Sequence, residues 1–135
     1  MKISEKDAQV LRNIVKHCDA IVDTTRYFGG AEKVFLKNHI YRSSISMNLQ
    51  SIGELAKHLS DDFVKKAGEI PWKQIKGQRN IFAHGYDTEV DFSKVWAAVE
   101  KDIPSLRAFC VTLLLENDYK LIKLEFVAKR ENVKE

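Results

Sequence analysis

Apolar residues recur at three- and four-residue steps through most of this chain, and strict alternation is almost absent. Val10, Leu11, Ile14, Val15, Cys18, Ile21 and Val22 form one stripe, the mark of an amphipathic helix. Ser4 opens that helix as a capping box with Asp7, a shorter stand-in for the usual Glu or Gln, and Gly29-Gly30 closes it. A second helix is predicted from about Ala31 to Leu59, with Ile45, Leu49, Ile52, Leu55 or Ala56, and Leu59 on its apolar face. Ser60-Asp61-Asp62 caps a short third helix that stops at Gly68. Pro71 stands at the start of the next, where its missing N–H costs nothing; that helix carries Trp72, Ile75, Arg79 and Phe82 and ends at Gly85. Asp91 caps a segment with Val95, Trp96 and Val99. Pro104 either kinks that segment or begins a new helix through Leu106, Phe109, Cys110, Leu113 and Leu114. In the tail, residues 122 to 126 alternate, yet Tyr119, Ile122 and Phe126 also fit a helix, and helix is the expectation there.

Long helices joined by short connections predict an all-α fold, an antiparallel four-helix bundle core with additional short helices. The bundle is expected over residues 1–116, followed by a C-terminal extension, 117–135, expected to be helical and of unassigned role. Hydrophobic residues make up 44% and charged residues 30%, which excludes a disordered chain. No apolar run approaches the ~20 residues of a membrane helix. The opening Met1-Lys2-Ile3-Ser4-Glu5 leads straight into helix-patterned sequence, with no signal peptide, so a cytoplasmic protein with no membrane partner is expected. Cys18 and Cys110 read as small apolar residues of a reduced core. A net charge of +3 permits RNA binding without arguing for it. His17, His39 and His58 are scattered singly as surface or packing residues and make no zinc-spaced set, so neither metal nor cofactor is expected.

The chemistry concentrates in Arg79-Asn80-Ile81-Phe82-Ala83-His84-Gly85-Tyr86. An arginine grips phosphate and a histidine moves a proton near neutral pH. On a regular helix, residues five apart differ by about 140° around the axis, so Arg79 and His84 do not share a face, whereas Asn80 and His84 do. A left-handed stop at Gly85 would free the His84 ring to turn from the helical direction and leave Tyr86 on loop backbone. Lys73 and Lys76 precede Arg79 at three-residue steps, a basic ridge that holds phosphates without reading sequence. Taken singly, each feature has a plainer reading. The ridge is a solvated helix face, His84 is a helix-end histidine favoured by the dipole, and Tyr86 is a half-buried aromatic.

The segment resembles the Arg-x4-His-x-Tyr motif of the HepT-like HEPN toxins, through Arg79, His84 and Tyr86, with Asn80 matching the asparagine that often follows the arginine. Gln50-Ser51-Ile52-Gly53-Glu54-Leu55-Ala56 resembles the family's Ile-Gly-Glu-Leu-Ala stretch. Glu69-Ile70-Pro71-Trp72 is similar to its Ile-Pro-Trp lead into the motif helix, and Asp102-Ile103-Pro104-Ser105-Leu106 to its Leu-Pro-x-Leu segment. In family order, these matches cover about residues 5 to 115, and the tail from Asn117 has no counterpart.

The resemblance implies a homodimer whose two motifs face each other across a cleft. It also implies metal-independent RNA cleavage and a pairing with a small MNT-type nucleotidyltransferase antitoxin that can attach AMP to Tyr86. In this reading His84 takes the proton from a ribose 2′-hydroxyl, Arg79 holds the phosphate, Asn80 orients His84 or binds a phosphate oxygen, and a 2′,3′-cyclic phosphate results. Glu54 is either a polar residue on a surface helix or part of the cleft lining, paired with Arg79 or His84. Gly53 beside it would permit close helix approach. The alternative is a non-catalytic HEPN module that binds nucleotide or RNA, or serves as a partner subunit of a nucleotidyltransferase.

Overall fold

A computed structural model describes residues 1–77 and 90–124 of the chain. Every regular element among them is helical. Helix α1 spans Glu5–Phe28, α2 Glu32–Lys37, α3 His39–Ala56, α4 Asp61–Lys66 and α6 Phe92–Glu116; residues 72–77 are also helical and are designated α5. The all-α expectation holds.

Helix α1 is the centre of the fold and packs on both α3 and α6. Its predicted stripe is its buried face: Leu11, Ile14, Val15, Cys18 and Ile21 are inaccessible or nearly so. Tyr41, Ile45, Leu49 and Ile52 meet it from α3, and Trp96, Ile103, Leu106, Cys110 and Leu114 from α6. Long-range contacts set the directions. Tyr41 at the start of α3 donates its hydroxyl to the Gly29 carbonyl past the end of α1 (3.2 Å), so α3 runs antiparallel to α1. At the other end Asn117, which caps α6, accepts from the Ile3 N–H (3.3 Å) and donates to the Met1 carbonyl (3.0 Å), so α6 is antiparallel to α1 as well. Gly29 stands at φ 103°, a conformation that L side chains rarely adopt, and this is why α1 stops there.

The predicted second helix is two helices. Asn38 breaks it in extended backbone (φ −111°, ψ 106°), and its side-chain oxygen accepts from the N–H groups of Ile40 and Tyr41. An asparagine inside an apolar pattern competes for backbone donors, and here the competition ends one helix and caps the next. The break lets Phe35 turn inward against Tyr41 (ring centroids 5.1 Å apart) and Trp96 (5.2 Å), while Phe28 stacks on the other side of Tyr41 (4.9 Å). This aromatic cluster joins α1, α2, α3 and the start of α6.

Ser4 caps α1 as expected, accepting from the Asp7 N–H. The Asp7 carboxylate does not complete the capping box. It is 3% exposed and accepts from the backbone N–H (2.9 Å) and hydroxyl (2.7 Å) of Ser60. Ser60 in turn caps α4 by accepting from the Phe63 N–H. One buried carboxylate thus ties the start of α1 to the turn between α3 and α4. Pro104 does not start a new helix: α6 continues through it, with Pro104 on the exposed side where solvent reaches the carbonyl left without an N–H partner.

The described part of the C-terminal extension is not helical, which corrects the expectation for residues 119–124. Asn117 and Asp118 are the cause. Asp118 takes a left-handed turn (φ 64°), accessible to Asp and Asn at low cost, and the Tyr119 N–H bonds back to the Leu114 carbonyl (2.9 Å). The chain then doubles back along α1, where the Lys120 carbonyl accepts from Arg12 Nε (2.7 Å) and Leu124 lines a groove with Ala20, Tyr27 and Ile40. Residues 125–135 lie outside the described part.

Candidate functional site

The site predicted from sequence divides into residues within and outside the described structure. Arg79, Asn80, His84, Gly85 and Tyr86 lie outside it. Lys73, Lys76, Gly53 and Glu54 lie inside it, together with the elements on which the chain enters residue 78 and resumes at residue 90.

The approach is anchored by Trp72. Its indole N–H donates to the Ala67 carbonyl (3.0 Å) in a buried position, and its ring lies 5.8 Å from Phe63 of α4. The Ile75 N–H bonds to the Pro71 carbonyl (3.1 Å), which starts helical geometry at the position where proline is tolerated. Beneath α5 lies a cavity of about 140 Å³, whose lining includes Ile52 from α3, Ile70, Pro71 and Ile75, and Asp102, Ile103 and Leu106 from α6. All three segments that carry the family resemblance outside the motif therefore meet at the start of α5.

On this anchored stretch Lys73 is exposed and Lys76 half-buried. Three residues apart, they are neighbours on the helix surface, so the first two members of the predicted ridge share one side. Gly53 is buried on α3. Glu54, one residue on, is exposed, and its carboxylate lies 3.7 Å from the Lys57 ammonium. That is a surface ion pair of small energetic weight, and it leaves the cleft role of Glu54 as an expectation.

The return is anchored by Phe92. Val90 packs on the core, Asp91 caps α6 by accepting from the Ser93 N–H (3.0 Å), and the Phe92 ring lies 6.2 Å from Phe35. The Arg42 guanidinium sits over Phe92, 5.3 Å from the ring centroid, and donates through Nη1 to the Leu36 carbonyl at the end of α2 (2.5 Å). The hydrophobic pattern does not show this arginine, because it acts across the break at Asn38.

The three other histidines fit their plain reading: His17 Nδ1 is 2.8 Å from Asn48 Oδ1, and His39 and His58 are exposed. Among the described residues no group of His, Cys, Asp or Glu is arranged to hold a metal ion. Cys18 and Cys110 are free and buried; burial pushes the Cys18 thiol up to about 12 and raises that of Cys110 further, so both are unreactive packing groups. No helix among the described residues is long and apolar enough to cross a membrane.

An all-α chain with this arginine–histidine–tyrosine segment between two anchored helices can be compared with known families. The Ribonuclease HepT-like family matches residues 17–113. The chain belongs to that family. It is 33% identical over 107 residues to a Thermococcus cleftensis protein named "Probable ribonuclease HepT", covering 79% of this chain and 93% of that one. It is 28% identical over 106 residues to a Methanocaldococcus jannaschii protein named "Putative RNase", covering 78% of this chain and 94% of that one. A Caldanaerobacter subterraneus protein of the same designation is 29% identical over 96 residues, covering 71% of this chain and 83% of the relative. No solved structure matches the chain. The family match ends at residue 113, so the doubled-back arm at 119–124 lies outside it.

Proposed function

We propose that this protein is a metal-independent endoribonuclease, active as a homodimer and serving as the toxin of a toxin–antitoxin pair. The observation that carries the reading is the ordered Arg79, Asn80, His84, Tyr86 set in a chain of the HepT-like ribonuclease family. His84 is the general base that takes the 2′-hydroxyl proton. The freed oxygen attacks the adjacent phosphorus, the 5′-oxygen leaves, and a 2′,3′-cyclic phosphate and a 5′-hydroxyl end result. Arg79 pairs with the phosphate and stabilises the charge that develops on its oxygens. Asn80 orients His84 or binds a phosphate oxygen, Lys73 and Lys76 hold the flanking backbone, and Glu54 lines the cleft between subunits.

The partner in this reading is a small MNT-type nucleotidyltransferase that transfers AMP from ATP to the Tyr86 hydroxyl, releasing pyrophosphate. The added phosphate brings a negative charge two residues from His84 and the adenine brings bulk, so RNA is excluded by both charge and volume. The test is cleavage of RNA in excess chelator by the full chain and by His84→Ala and Arg79→Ala. The wild type should cut and leave cyclic phosphate ends, and both variants should lose at least two orders of magnitude, the scale of acid–base and electrostatic contributions. Equal activity in all three would sink the mechanism. RNA binding without cleavage by the wild type would move the protein to the non-catalytic binding reading.

A further inference from the structure

From Lys33 to Gly53 the chain contains no Asp or Glu, although it has 19 acidic residues in all. The structure folds the basic end of that stretch into one corner. Lys33 and Lys37, one helical turn apart on α2, are both exposed. Arg42 reaches back from α3 to the Leu36 carbonyl, which places its guanidinium at the end of α2 beside Lys37. The same guanidinium lies over Phe92, one residue after the Asp91 cap of α6. Exposed His39 stands between them in sequence, and Glu32 and Asp91 are the acids at the border. The corner also adjoins the point where the motif segment rejoins the fold.

We infer that Lys33 and Lys37, with Arg42 stacked on Phe92 as their positive floor, form a second phosphate-binding track for single-stranded RNA, beside the point at which the fold resumes after the motif and separate in the chain from Lys73 and Lys76. The inference rests on the ribonuclease reading above. Three features favour RNA. The lysines are exposed, so they give up little hydration to bind. They are spaced along a helix turn, which suits a flexible backbone with a charge at every nucleotide. The adjoining surface of α3 carries no acidic residue to repel the backbone. An acidic protein surface would also pair with lysines, but the position beside the returning motif segment favours the substrate.

The test measures binding of a fluorescein-labelled single-stranded RNA of mixed sequence to the full chain carrying His84→Ala, as a function of salt. Each lysine that neutralises a phosphate contributes about 0.7 to the slope of log K against log salt. Adding Lys33→Ala with Lys37→Ala should flatten the slope by about 1.4 and weaken binding roughly 25-fold at 0.1 M salt. Lys33→Arg with Lys37→Arg should restore both. The matched control is Lys2→Ala with Lys6→Ala, which removes the same charge at the start of α1, ~33 Å by helical rise from the Phe28 end that leads into α2, and should leave the slope unchanged. A parent that binds no RNA overturns the ribonuclease reading and this one together. A parent that binds with a slope unaltered by the Lys33/Lys37 change overturns this inference alone, as does an equal loss in the control.

Discussion

Replacing Asp7 by Ala is the most informative perturbation of the scaffold, because one side chain joins two distant parts of the chain. The Asp7 carboxylate is 3% exposed and accepts two hydrogen bonds from Ser60, at 2.9 and 2.7 Å. Hydrogen bonds to a charged group contribute about 1.5–3 kcal/mol each, and a donor left unpaired costs about as much. Ser60 is half-buried, so water recovers part of the loss, and about 3 kcal/mol is the expected cost. At roughly 3 °C per kcal/mol for a chain of this size, the melting temperature should fall by about 10 °C while the protein still folds. Ser60→Ala removes one of the two bonds and also the α4 cap, itself worth about 1 kcal/mol. The two changes must therefore be non-additive. Urea melts of Asp7→Ala, Ser60→Ala and the double variant should give a coupling of about 1–2 kcal/mol. Additivity within about 0.5 kcal/mol would show that the two residues act independently and would refute the tie.

Trp72→Phe keeps the ring against Phe63 but removes the indole donor to the Ala67 carbonyl, which still accepts from the Ile70 N–H, and should cost about 1 kcal/mol in urea melts; no change would mean that the indole bond does not anchor α5. Asn38→Ala removes the acceptor shared by Ile40 and Tyr41 and should cost about 1 kcal/mol by the same measurement. At pH 8, neither Cys18 nor Cys110 should react with a thiol reagent until denaturant is added. The sign of the alkaline effect follows from burial. The folded Cys18 keeps its proton up to about 12, whereas the unfolded thiol loses it near 9, so stability should fall as pH rises between those values, by up to about 1.4 kcal/mol per unit per cysteine. Cys18→Ala should reduce that slope in melts run between pH 9 and 11.

Local physics made much of the fold legible. The α1 stripe, its Ser4 cap and Gly29 stop, the Ser60 and Asp91 caps and the Pro71 start all depend on residues within a turn of one another, and each appears where the pattern places it. The errors share the opposite character. The predicted helix from Ala31 to Leu59 reads through Asn38, because periodicity records spacing and not which backbone donors a side chain captures. The tail reads as helix because Tyr119, Ile122 and Phe126 have helical spacing, but the turn at Asp118 and the bond from Arg12 to Lys120 are decided by the helices already in place. Asp7 reads as half of a capping box because its true partner is at position 60.

The same division applies to the candidate site. The motif from Arg79 to Tyr86 is legible as a string because its chemistry lies in residue types a few positions apart. Its supports are not, because they converge from the whole chain: Ala67 and Phe63 hold Trp72 before it, and Phe35 and Arg42 hold Phe92 after it. The two anchors differ in kind. Trp72 is fixed by a buried hydrogen bond to a carbonyl five residues back, a local device that travels with α4 and α5. Phe92 is fixed by side chains from α2 and α3, so its position depends on the break at Asn38 that turns Phe35 inward. A change at Asn38 should therefore reach the motif through its C-terminal anchor while leaving Trp72 in place. Arg42 explains how that anchor also acquires charge: the guanidinium that braces the end of α2 is the one that lies over Phe92. Packing and positive charge at this corner thus meet in a single side chain.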